Sequence, residues 1–124
     1  MAHPQFQACI DECHRCADAC DYCANLSLSE YDIRALKRCI RLTIDCAQLC
    51  RVAAAYMARG SELSNILCTA CSQVCEVCAD ECAQHEMQHC QDCASACRRC
   101  AEACTQMLTT LVSAASERPG AAMH

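Results

Sequence analysis

The sequence predicts an all-α fold, an antiparallel up-down-up-down four-helix bundle with a Cys-lined core. Three observations predict it. The 124 residues include 18 Cys, most of them at steps of three and four, close to the 3.5-residue period of a helix seam in a bundle. The phrases "CHRCADAC" at 13–20, "CEVCADEC" at 75–82 and "CRRCAEAC" at 97–104 repeat one heptad module in three stretches. The chain has only two Gly and two Pro, and one of each stands in the tail "ERPGAAMH". So little punctuation leaves room for long helices and short connections, and the length suits one domain over residues 1–124.

The first helix is expected at 5–24. Its cysteines, Cys9, Cys13, Cys16, Cys20 and Cys23, share one stripe, while Asp11, Glu12, Arg15 and Asp18 cover the solvent face. "NLSLSEYD" (25–32) reads as a turn, with Ser29 capping a second helix at 30–58. The seam of helix two runs Cys39, Thr43, Cys46, Cys50, Ala53, Met57. That helix is apolar elsewhere too, at Ile33, Leu36, Ile40 and Ile44 on one flank and Leu42, Leu49, Val52 and Tyr56 on the other. A helix apolar on several faces is covered on several faces, here by the N-terminal segment or by another subunit.

"RGSE" (59–62) supplies Gly60 as a helix stop and Ser61 as the next N-cap. The third helix, expected at 62–84, carries Cys68, Cys71, Cys75, Cys78 and Cys82. "QHEMQH" (84–89) connects it to the fourth, expected at 87–115, with Cys90, Cys93, Cys97, Cys100 and Cys104. Residues 116–124 are expected to be a flexible tail. Short loops make neighbouring helices antiparallel.

Several function classes drop away. A net charge of −5 leaves no basic footprint for nucleic acid. No run of about 18 apolar residues could span a membrane. The N-terminus "MAHPQFQACIDEC" has no basic region, apolar stretch or small-residue cleavage site, so no secretory leader is expected. A cytoplasmic chain meets a reducing compartment, where thiols stay thiols. No Ser/His/Asp or Cys/His arrangement with a third orienting group is legible, so the chain is not expected to be an enzyme.

What so much thiol does can be decided by elimination. Buried Cys packs as a small hydrophobe, but a seam made almost wholly of Cys underfills a core, at about 0.8 kcal/mol for each missing methylene. Disulfides fit poorly, because Cβ atoms one helical turn apart lie about 5–6 Å from each other and a disulfide needs about 3.5–4.5 Å. Metal is the remaining filler. Seven CxxxC pairs occur, Cys9/Cys13, Cys16/Cys20, Cys46/Cys50, Cys71/Cys75, Cys78/Cys82, Cys93/Cys97 and Cys100/Cys104. Two sulfurs bound linearly to one ion sit about 4–5 Å apart, within reach of such pairs. Thiolates select soft Cu(I), and about one Cu(I) per bridging thiolate leaves a neutral core, whereas zinc held by four thiolates leaves two negative charges. Iron–sulfur clusters typically take CxxC from wrapping loops. Cu(I) is therefore preferred, with an iron–sulfur electron carrier and a zinc-buffering or structural bundle as the alternatives.

With its CxxxC pairs on each helix and the run from Cys78 to Cys104, "CADECAQHEMQHCQDCASACRRCAEAC", the sequence resembles the bacterial copper storage proteins, and in particular their cytosolic branch. The resemblance covers the bundle from Cys9 to about Met107. It implies storage of multiple Cu(I) ions per chain inside the bundle, each of the 18 Cys as a ligand, and a homotetramer. Helix two departs from the pattern at Thr43 and Ala53.

The two ends of such a bundle should differ. The termini and the 59–62 turn share one end, where Leu63, Leu67, Met107, Leu108 and Leu111 would form an apolar plug. The other end has His85, Met87 and His89 beside Cys82 and Cys90. Imidazole and thioether bind Cu(I) less tightly than paired thiolates, so these three residues would receive an ion and pass it inward.

Overall fold

The computed structural model describes residues 4–117 and the side chains of residues 6–111. Four helices follow in order: α1 (Pro4–Ser27), α2 (Lys37–Ala58), α3 (Ser64–Cys82) and α4 (Gln88–Glu117), with a 3-10 turn (Ile33–Leu36) leading into α2. Each helix packs on two neighbours, α1 on α2 and α4, and α3 on α2 and α4. This closed ring is the expected all-α up-down-up-down bundle. Among the described residues, no helix is long and apolar enough to cross a membrane.

The core follows from the heptad stripe. All 18 cysteines are buried and none is in a disulfide. Buried alanines flank them, among them Ala17, Ala47, Ala54, Ala79, Ala94 and Ala101. Small side chains at these positions let the helix backbones approach closely enough for thiols from all four to meet on the axis. On the outside, Arg51 of α2 reaches Asp21 (2.7 Å) and Asp18 (3.3 Å) of α1, and Arg99 of α4 reaches Glu12 (3.7 Å). Exposed pairs of this kind contribute at most about 1 kcal/mol each; they favour the register more than the stability.

The connections depart from the expected limits in ways the backbone explains. α1 continues to Ser27, and Ser29 does not cap a helix. Its amide bonds to Leu26 in a turn (3.1 Å). Asp32 does the capping, accepting from the Ala35 amide (3.4 Å) at the start of the 3-10 turn, so α2 proper starts at Lys37. Gly60 is the expected stop. It has φ 68°, its amide bonds to Met57 O (3.0 Å) and the Ser61 amide to Tyr56 O (3.0 Å), the paired bonds of a Schellman motif. α3 begins two residues later than expected, because the Ser61 hydroxyl closes a local turn on the Leu63 amide (3.1 Å). Between α3 and α4, the Gln91 side-chain amide donates to Ala83 O (3.1 Å) and His85 O (2.7 Å), holding a five-residue turn. Of the expected tail, residues 118–124 lie outside the described residues.

The second helix resolves into two kinds of apolar residue. Leu36 is buried, and Ile40, Leu42 and Leu49 pack partly against the core of their own chain. Ile44 and Val52 stay exposed, at 45% and 43%. At the closed end Met107 is buried and Leu67, Leu108 and Leu111 pack on the core, but Leu63 points outward. Phe6 of α1, buried, completes the plug there.

Candidate metal centre

Each CxxxC pair projects two thiols one helical turn apart toward the axis. In four of the seven pairs the sulfurs stand 3.8–4.0 Å apart, at Cys71/Cys75, Cys46/Cys50, Cys78/Cys82 and Cys93/Cys97. This is shorter than the 4–5 Å of a linear two-sulfur site. It suits three sulfurs around one ion, which sit about 4 Å apart for metal–sulfur bonds a little over 2 Å.

Across helices the sulfurs are as close. Cys16 of α1 meets Cys97 of α4 at 3.6 Å and Cys46 of α2 at 3.8 Å. Cys50 of α2 meets Cys71 at 3.6 Å and Cys75 at 3.7 Å on α3. Cys20 lies 3.6 Å from both Cys93 and Cys97, and Cys13 lies 3.7 Å from Cys100. Groups of four sulfurs fall within 4.8 Å of one another, and the groups overlap. Cys16, Cys46, Cys50 and Cys75 form one group. Cys50 and Cys75 belong also to a second, with Cys71 and Cys100. Cys16 and Cys46 belong also to a third, with Cys20 and Cys97, and Cys20 and Cys97 to a fourth, with Cys78 and Cys93. The thiols form a continuous ladder rather than separate pockets. Two rungs lack a sulfur on α2. Thr43 is fully buried but donates its hydroxyl proton to Ile40 O (2.9 Å), and Ala53 has nothing to offer.

At the end where the α1–α2 and α3–α4 connections meet, Cys23 contacts Cys90 (3.7 Å) and Cys39 (4.0 Å), and Cys39 contacts Cys82 (3.6 Å). His89 Nδ1 lies 3.2 Å from Cys23 Sγ and 3.6 Å from Cys90 Sγ, while its Nε2 lies 2.9 Å from a Glu30 carboxylate oxygen. A carboxylate only accepts, so Nε2 carries a proton, and in the neutral imidazole Nδ1 then turns a lone pair toward the thiols. His85 Nε2 bonds to Glu81 (2.7 Å), whose other oxygen accepts from Arg38 Nη1 (2.8 Å). Burial would raise the Glu81 carboxyl, but Arg38 and His85 outweigh it and hold it below the usual range. Met87 packs partly buried against the core. Of the three residues expected at this rim, the structure brings His89 into contact with the ladder, engages His85 with Glu81 and sets Met87 at the edge.

Burial disfavours the charged form of a thiol. It pushes the Cys90 thiol up to about 11. Cys68, at the opposite end, stands at about 12, where the pull of Cys104 is outweighed by Cys9 and burial. A bound soft cation reverses this balance by neutralising the thiolates it creates.

Two partners of the rim escaped the sequence reading. Glu81 sits four residues before His85, a spacing that places both on one helical face; Glu30 is 59 residues from His89 and carries no local signal. Met57 was legible as a seam position, yet its sulfur proves to accept from Cys68 Sγ at 3.6 Å.

Comparison with known proteins agrees with the geometry. The sequence model of the family described as copper storage protein matches residues 2–109. A cysteine-rich protein of Bacillus subtilis (strain 168), YhjQ, is 41% identical over 85 residues, covering 68% of this chain and 79% of that one. Among solved structures, the Cu(I)-bound copper storage protein BsCsp3 superimposes with a TM-score of 0.81 at 39% identity, over 84% of this chain and 98% of that one. A cytosolic copper storage protein from Streptomyces lividans, holding five coppers, superimposes with a TM-score of 0.82 at 41% identity, over 85% and 92% of the two chains.

Proposed function

Because this chain belongs to the copper storage protein family, we propose that it stores several Cu(I) ions per chain on the thiolates of its core. The observation that carries the reading is the ladder itself, 18 buried free thiols, at least twelve of them in overlapping four-sulfur groups. Discrete zinc sites need four ligands of their own, and groups that share Cys50 and Cys75 or Cys16 and Cys46 do not provide them. Shared sulfurs suit bridging thiolates and a soft monovalent ion. Each thiol gives up its proton as it binds, so uptake releases protons and affinity rises with pH. The role is storage rather than catalysis, and the Streptomyces relative, described as cytosolic, supports a cytoplasmic store.

All 18 cysteines serve as ligands in this reading. His85, Met87 and His89 form the mouth, with His89 Nδ1 the first donor an arriving ion meets. Anaerobic titration of the reduced protein with Cu(I) against a competing chelator tests the whole. Uptake of many ions with no colour is expected. Saturation at one or two ions rejects storage, and a brown protein as purified points to the iron–sulfur alternative.

The same reading makes the chain a homotetramer, supported by the exposed Ile44 and Val52 on α2. Replacing Leu49 and Val52 with Glu is expected to give a smaller particle by light scattering; an unchanged mass shows that this face is not between subunits.

A further inference from the structure

The seam of α2 runs past Cys50 to Ala53 and Met57, both fully buried. The closed end of the ladder therefore takes thiols from three helices only, Cys9 of α1, Cys68 of α3 and Cys104 of α4. Cys9 Sγ donates to Cys104 Sγ at 3.7 Å, and Cys68 is fully buried at the same end of the ladder. The remaining helix, α2, contributes a thioether, since Cys68 Sγ donates to Met57 Sδ at 3.6 Å. We infer that Met57 Sδ is a Cu(I) ligand, and that Met57, Cys9, Cys68 and Cys104 form a binding site at the closed end, an inference that rests on the Cu(I) reading above.

Three physical points carry it. A lone pair that accepts a thiol proton already points at the place where a metal replacing that proton would sit. When Cu(I) binds, the Cys68 proton leaves to solvent, the Cys68 thiolate and the Met57 thioether each donate an electron pair to the ion, and no oxidation state changes. Softness agrees, because thioether sulfur, like thiolate, selects Cu(I). Charge agrees as well. This end is sealed by Phe6 and Met107, where an unbalanced ion is most costly, and a thioether adds a donor without adding a negative charge. Methionine is a common gap-filler in apolar cores, but gap-filling does not require its sulfur, rather than its methyl, to face a thiol.

The test uses full-length, selenomethionine-labelled protein carrying Met87→Leu, loaded anaerobically with Cu(I) to saturation. X-ray absorption at the selenium edge should show copper as a direct neighbour of selenium. Adding Met57→Leu, a substitution that conserves volume, should abolish that signal and lower capacity by about one ion per chain, as expected for the loss of one soft donor. A saturated Met87→Leu protein with no copper–selenium scattering overturns the site and leaves storage standing, as does scattering that persists in the double variant. Failure to take up any Cu(I) overturns both. Where the double variant does not fold, protein carrying Met87→Leu and Met107→Leu decides the question: copper–selenium scattering retained there supports Met57, and its loss overturns the site.

Discussion

The two ends of the bundle finish the same ladder with opposite materials. At the connection end the last thiols, Cys23 and Cys90, meet an imidazole held by a carboxylate, and beside it lie Glu81, His85 and Arg38. At the other end the last thiols, Cys9, Cys68 and Cys104, meet a thioether under Phe6, Leu67 and Met107. Both ends supply a neutral donor where thiols run out. The connection end also sets charge and hydrogen-bonding groups directly beside its last thiols, where they can exchange an ion's hydration shell for protein contacts. On the proposed reading the repeat sets most of the capacity, while the few residues outside it set direction.

That contrast can be broken, and the largest effect belongs to the closed end. Phe6→Ala removes a fully enclosed ring, and such truncations cost about 3–5 kcal/mol. Denaturant unfolding of the copper-free protein should show a loss of that size. A loss below about 1 kcal/mol would mean the plug is not packed as described. Next comes the mouth. Replacing His85, Met87 and His89 together with Ala should slow both Cu(I) loading and its removal by a chelator about tenfold or more, with capacity nearly unchanged, because only weak rim ligands are lost. Stopped-flow loading under anaerobic conditions checks this. Unaltered rates would reject this mouth, and a large loss of capacity would make these residues part of the store.

The smallest effect sharpens the comparison to one hydrogen bond. Glu30→Gln keeps the size of the side chain but can present an amide donor to His89 Nε2, so the proton of His89 is no longer fixed there. Loading should slow less than in the triple replacement, by up to about tenfold. Nitrogen NMR of the imidazole should show the tautomer shifting away from Nε2–H in the copper-free protein. An unchanged tautomer would leave Glu30 as a surface partner only.

What was legible in the sequence was whatever depends on period. Steps of three, four and, between Cys39 and Cys46, seven put every cysteine on a buried stripe, and the only glycine in the body of the chain marked a turn that needs positive φ. Helix starts were less legible because they depend on competing local hydrogen bonds. Ser29 and Ser61 look like caps and neither becomes one, while Asp32 caps a 3-10 turn ahead of α2. Least legible were contacts made by the bundle's closure. Glu30 reaches His89 because two connections share one end, and Met57 meets Cys68 because α2 and α3 pack side by side. No spacing within a helix encodes either pairing.

The sharing of sulfurs between neighbouring groups has a consequence for how such a molecule wears out. A binding site with a private set of ligands is lost whole when one ligand is oxidised or mutated. Here Cys50 and Cys75 serve two groups at once, so losing either thins two rungs and leaves sulfurs on both sides of the gap. Damage is subtracted in fractions of the total. On the proposed reading, a chain that has lost one thiol is expected to keep most of its holding power, with a decline under accumulated lesions that is gradual rather than abrupt.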